Sequence, residues 1–154
     1  MSVVTLTMSV KWRLMSEAWT LNELARKVGD TLIALSLLKF LTVDKIPLKE
    51  SEDDLRRRVY QVKPILELIL KDIDNAIKEH RATPLIESLQ EEYGYANVEL
   101  IKNRVKEALD ALEHINKKDY KKKWFDITER LLESLAKSAS LRSYQLISRA
   151  KPVL

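Results

Sequence analysis

Apolar side chains recur in this chain at alternating intervals of four and three residues, and that spacing limits the fold more than any other feature. Leu55, Val59, Val62, Leu66, Ile69, Ile73 and Ala76 step by 4, 3, 4, 3, 4 and 3. Val98, Ile101, Val105, Ala108, Leu112 and Ile115 step by 3, 4, 3, 4 and 3. Each set falls on one stripe of an α-helix, and a sustained heptad stripe is the pattern of long helices packed side by side. A half-buried strand would instead need an apolar residue at every second position. Sheet proteins also need frequent turns, yet only two glycines (Gly29, Gly94) and four prolines (Pro47, Pro64, Pro84, Pro152) are present. The expected fold is all-α: an antiparallel helical bundle of four long helices plus one short helix, with brief connections between neighbours.

The boundaries follow from capping chemistry. Residues 1–15 read as a flexible or ambiguous leader, rich in β-branched residues, and 16–154 as a single helical-bundle domain. Met8-Ser9-Val10 repeats the opening Met1-Ser2-Val3, which leaves a later start open. The first helix is expected to begin near Ser16 or Thr20, where Thr20 and Glu23 have capping-box spacing. Leu21, Leu24, Val28, Leu32, Leu35 and Leu38 supply its core face. From Thr31 onward Ile33, Leu37 and Phe40 form a second apolar face, which places this half at the bundle centre or in a subunit interface. Ser51, followed by Glu52, Asp53 and Asp54, is an N-cap with acids suited to the positive end of a helix. Pro64 lies inside the first heptad stripe and predicts a kink near Tyr60–Lys63. Thr83-Pro84 opens the short helix, Gly94 ends it and Asn97 caps the next. Asp119 is expected to cap a last long helix running to Ala150, with Tyr120, Trp124, Ile127, Leu131 and Leu135 on its buried side.

The chemistry available is narrow. There is no cysteine, hence no disulfide, thiol nucleophile or thiolate metal site. The two histidines, His80 and His114, each follow a glutamate directly, and adjacent helical residues point about 100° apart, so neither pair chelates. A di-iron bundle needs Glu-x-x-His, but positions 77 and 111 hold Ile77 and Ala111. All-helical ribonucleases of the HEPN class place four to six residues between an arginine and a histidine, whereas nine separate Arg104 from His114. Neither a glycine-rich phosphate loop nor a Gly-x-Ser-x-Gly elbow occurs. No catalytic residue, metal or cofactor is expected. The longest apolar run, Thr31 to Val43, is too short to span a bilayer and is broken by Lys39, so no membrane is expected, and the lack of cysteine suits a cytoplasmic location. Abundant Lys and Glu with scarce Gln resemble the usage of heat-stable proteins.

Charge is placed unevenly. Residues 1–116 hold 17 Lys+Arg and 19 Asp+Glu, while residues 117–154 hold 10 and 4. Five lysines, Lys117, Lys118, Lys121, Lys122 and Lys123, lie within eight positions beside Tyr120 and Trp124, a grouping that can meet phosphates by charge and bases by stacking. Its bland alternative is a solvated turn with two core aromatics. No acid follows Glu133, and Ser138, Arg142, Gln145 and Arg149 share a helical face of phosphate-contacting types. Arg56, Arg57 and Arg58 are expected to pair locally with the acids just before them. In size, helicity and basic bias the chain resembles the small helical subunits of archaeal CRISPR effector complexes, a likeness of class and not of motif. The expected function is a non-enzymatic accessory or assembly protein. It would bind RNA, DNA or a nucleoprotein complex through Lys117, Lys118, Lys121, Lys122, Lys123, Arg142 and Arg149. The alternative is a protein-interaction or homo-oligomerisation module that uses Ile33, Leu37 and Phe40.

Overall fold

The two heptad stripes are buried as their spacing requires. In the computed structural model, which describes residues 3–93 and 98–150 (side chains from 9–91 and 98–150), Leu55, Val59, Val62, Leu66, Ile69 and Ile73 are all buried, as are Ile101, Val105, Ala108, Leu112 and Ile115. The described chain is all-α, with helices α1 (Val3–Thr42), α2 (Glu52–Tyr60), α3 (Lys63–Glu79), α4 (Pro84–Tyr93), α5 (Val98–Asn116) and α6 (Lys122–Ala150).

Contacts between elements fix their directions. The Ser143 hydroxyl of α6 donates to the Ala18 carbonyl of α1 at 2.8 Å, and Lys39 of α1 meets Asp126 of α6 at 3.8 Å. Position advances along α1 as it retreats along α6, so the two are antiparallel. Lys63–Glu113 (3.1 Å) and Lys102–Asp74 (2.8 Å) make α3 and α5 antiparallel in the same way. On α4, Ser88 donates to the Ser138 carbonyl (3.2 Å) and Glu91 meets Arg142 (2.9 Å), so α4 runs with α6. The four-residue link after α3 therefore carries the chain onward and does not reverse it.

The break between α2 and α3 lies where Pro64 predicts it. Gln61 and Val62 stay in the right-handed region (φ −62 and −76), and the Val62 N–H bonds back only three residues, to Val59 O at 3.3 Å. Pro64 has no N–H to donate and falls in the first turn of α3, where a missing donor costs nothing. The Ser51 and Thr83 side chains accept from the N–H groups of Asp54 (3.4 Å) and Ile86 (3.3 Å), as their cap positions require. The roles assigned to Gly94 and Asn97 lie outside the described residues.

Two boundary expectations and one on burial are corrected, all in the first helix. The first helix is already formed at Val3, far ahead of Ser16 or Thr20, because Leu14 and Ala18 are buried in register with Leu21 and no breaker precedes them. Packing outweighs the few tenths of a kcal/mol that β-branched residues cost a helix. Thr20 is not a cap: its hydroxyl donates to the Ser16 carbonyl one turn back (3.1 Å). Of the two places expected for the second half of α1, the bundle centre or a subunit interface, it is not at the centre. Leu35 and Leu38 are buried, whereas Ile33 and Phe40 are exposed and Leu37 is half-buried.

The core is closed by Phe125, Leu132 and Leu135 of α6, all fully buried. Buried threonines satisfy their hydroxyls within their own helix, Thr42 to Leu38 O (2.7 Å) and Thr128 to Trp124 O (2.8 Å). Truncating Phe125 to alanine is expected to cost about 3–5 kcal/mol in urea denaturation. Gly29 sits inside α1, and a Cβ there meets nothing within 4 Å. Gly29→Ala should therefore stabilise the chain by about 0.5–1 kcal/mol.

Candidate nucleic-acid interface

The lysine-rich run forms the turn between α5 and α6, and its shape comes from the end of α5. The Asp119 N–H bonds to His114 O (2.9 Å) and the Lys118 N–H to Ile115 O (3.0 Å), a Schellman closure with Lys118 left-handed at φ 65. That geometry swings the Asp119 side chain back onto α5. Its Oδ2 lies 2.9 Å from His114 Nδ1 and accepts from Trp124 Nε1 at 3.1 Å. The His114 and Trp124 rings stack with centroids 3.9 Å apart, and Lys123 Nζ lies 4.4 Å from the Trp124 ring centroid. Asp119 is thus a clasp across the turn. It does not cap the last helix, which starts at Lys122.

Both aromatics are engaged within the chain. Tyr120 is partly buried and its hydroxyl accepts from Arg56 at 3.1 Å. With Trp124 held by His114 and Asp119, stacking on a base is not what these rings are placed to do. Here the structure takes the bland side of the expectation.

The lysines themselves point to solvent, although Lys123 lies over the Trp124 ring and the charges of Lys117 and Lys121 help to lower the Glu113 and Asp119 carboxyls. Lys117, Lys118, Lys121, Lys122 and Lys123 are exposed, and none forms an ion pair among the described residues. The reason is that nearby carboxylates have other partners. Glu113 accepts from the Tyr60 hydroxyl (2.7 Å) and meets Lys63 (3.1 Å), and these bonds hold its carboxyl below the ordinary range. Burial alone would raise the Asp119 carboxyl, but hydrogen bonds from His114 and Trp124 outweigh it and lower it. The acidic start of α2 contacts Tyr120 through Glu52, yet Arg56 meets Glu52 and Asp53, while Arg57 and Arg58 both meet Asp54. That local pairing was legible from the sequence.

The two basic regions do not merge. Arg149 is exposed, but it lies 27 residues along α6 from Lys122, about 40 Å at 1.5 Å per residue. Arg142 is committed elsewhere: its side chain is 13% exposed and pairs with Glu91. Ser138 is buried against α4, so Ser138 and Arg142 of the polar stripe both meet that helix. Between α5 and α6 a cleft of about 560 Å³ is lined by Arg104, Arg130 and Lys137 but also by Glu107 and Glu133, so its charges nearly cancel.

Sequence reasoning missed a set of exposed aromatics. Trp12 and Trp19 of α1 are 72% and 68% exposed, with Met15 between them. Their spacing of three and four was the available signal, hidden by the expectation of a leader. Among the described residues no group of three or more His, Asp or Glu side chains is placed to hold a metal, and no helix is long and apolar enough to cross a membrane. His80 closes α3 in the left-handed conformation (φ 53) and is exposed. No family model, curated protein or solved structure matches this chain.

Asp119 and Glu113 titrate lower in the folded chain than when unfolded. Their contribution is complete above about pH 4.5 and is lost as pH falls through the folded values. Asp119→Asn should therefore be less stable than the parent at neutral pH and lose less stability between about pH 5 and 3. Urea denaturation at several pH values checks this.

Proposed function

We propose that this chain is a non-enzymatic accessory protein that binds a nucleic acid, alone or within a nucleoprotein complex, through the α5–α6 turn. The observation that carries the reading is the set of five exposed lysines, none of which has a carboxylate within ion-pair distance among the described residues. A group of exposed ammonium ions in excess over the nearby carboxylates attracts phosphates at a helix turn and gains free energy by releasing their counterions. Because Tyr120 and Trp124 are half-buried and already engaged by Arg56, Asp119 and His114, contact is with the backbone of the nucleic acid and carries little sequence preference. Arg149 stands too far along α6 to share one short contact with the turn, and Arg142 drops out of the set.

Binding to short single- and double-stranded oligonucleotides, followed by fluorescence anisotropy across a salt series, tests the reading. Five phosphate contacts give a slope of log K against log salt of roughly −3.5 to −4.5. Replacing the five lysines by glutamate abolishes binding, whereas Arg142→Gln leaves it unchanged. No binding at low salt, or unchanged affinity after charge reversal, removes the proposal.

A second reading is favoured by one specific observation. Ile33, at 62% exposed, and Phe40, at 42%, sit on a face of α1 that its neighbours α2 and α6 flank but leave partly open, which suits a protein-interaction or self-association module.

A further inference from the structure

The exposed face of α1 is longer than its second half, and it is symmetrical. Trp12, Met15, Trp19, Arg26, Ile33, Leu37 and Phe40 all lie on one helical stripe, away from the buried residues Leu14, Ala18, Leu21, Val28, Leu35 and Leu38. Counted from Arg26, large apolar residues occur 7, 11 and 14 positions before it and 7, 11 and 14 positions after it. The stripe therefore reads the same from either end. Two such helices laid antiparallel, with Arg26 on the twofold axis, set Trp12 against Phe40, Met15 against Leu37 and Trp19 against Ile33. A twofold interface requires this self-complementarity.

We propose, resting on the self-association reading and independent of the nucleic-acid one, that a second copy of this chain covers the face through an antiparallel α1–α1 contact centred on Arg26. The charges support that occupant. Arg26 meets Glu23 at 2.9 Å and Asp30 at 3.5 Å in its own chain, so the centre of the dimer holds two guanidinium groups among four carboxylates. Neither guanidinium faces the other unshielded. Those acids also make the middle of the stripe a poor fit for an anionic bilayer. The shape agrees as well. Ile33 stands between two surface grooves, one of about 600 Å³ bordered by Lys27, Asp30 and Arg58, the other of about 280 Å³ with Leu32 and Leu37 along α1 and the carboxylates of Glu129 and Glu133 on its far side. The register delivers Trp19 of the second copy to this ridge.

The contact is long enough to hold. From Trp12 to Phe40 is about 42 Å of helix. At 150–250 Å² per aromatic side chain, the uncovered parts of Trp12, Trp19 and Phe40 come to roughly 400 Å² per copy. Two copies, with Met15, Ile33 and Leu37 added, approach the ~1,200 Å² at which specific interfaces begin.

Sedimentation equilibrium of the full chain should give twice the 17.9 kDa monomer mass. Ile33→Glu should halve that mass while circular dichroism keeps its helical signal. Register is read by disulfide trapping, which the cysteine-free parent makes clean. Arg26→Cys should crosslink to itself under mild oxidation, Trp12→Cys should not, and Trp12→Cys mixed with Phe40→Cys should, because a disulfide needs the two Cα atoms close. A strict monomer, or a dimer indifferent to Ile33→Glu, overturns both the proposal and the self-association reading. A dimer that Trp12→Cys traps with itself overturns the register alone. A monomer that co-sediments with phosphatidylglycerol vesicles assigns the face to lipid and overturns the proposal.

Discussion

The antiparallel packing of α1 against α6 is the contact on which the other helices depend. These are the longest elements, 40 and 29 residues, and their buried faces supply Leu14, Ala18, Leu21, Val28, Leu35 and Leu38 on one side and Leu131, Leu132, Leu135, Ala139 and Leu146 on the other. At roughly 1.5–3 kcal/mol for each large apolar side chain taken from water, this seam is among the main opponents of the chain's conformational entropy. α5 then folds back along α6 through the short lysine turn, and α2–α3 runs against α5 through Lys63–Glu113 and Lys102–Asp74. α4 finds its place on α6 through small residues, with Ser88 against Ser138.

The core was legible in the sequence because burial leaves a period. The stripes from Leu55 to Ile73 and from Ile101 to Ile115 are buried, and the break at Pro64 follows from the missing donor of one ring. Helix ends were less legible, for a local reason. Lys45, His80 and Lys118 take positive φ without being glycine, so the usual residue signal for a helix C-terminus is missing at all three. Asp119 has the composition of a cap, but the Schellman turn before it points its carboxylate back to His114. The start of α1 is hidden from the sequence because local β-branching argues against a helix there, whereas the burial of Leu14 and Ala18 that supports it is a long-range effect.

Of the candidate interface, charge was legible and geometry was not. A sequence places five lysines together, but it cannot tell whether carboxylates from other helices will meet them. Here the carboxylates of Glu113 and Asp119 are drawn off by Tyr60, Lys63, His114 and Trp124. Arg142 went the other way: its partner Glu91 lies on a helix 51 positions earlier, beyond any local pattern.

The hydroxyl groups of Ser88 and Ser143 do something apolar contacts cannot. Leucine seams tolerate sliding, since a helix moved by one turn, about 5.4 Å, presents much the same surface. Ser143 grips the carbonyl of Ala18 and Ser88 that of Ser138, so between them they act as a vernier for α1, α4 and α6. Together with the Lys39–Asp126 and Glu91–Arg142 pairs, these two oxygen atoms set the axial alignment of three helices, and with it the relative height of the tryptophans and the lysine turn, while contributing little to the total stability.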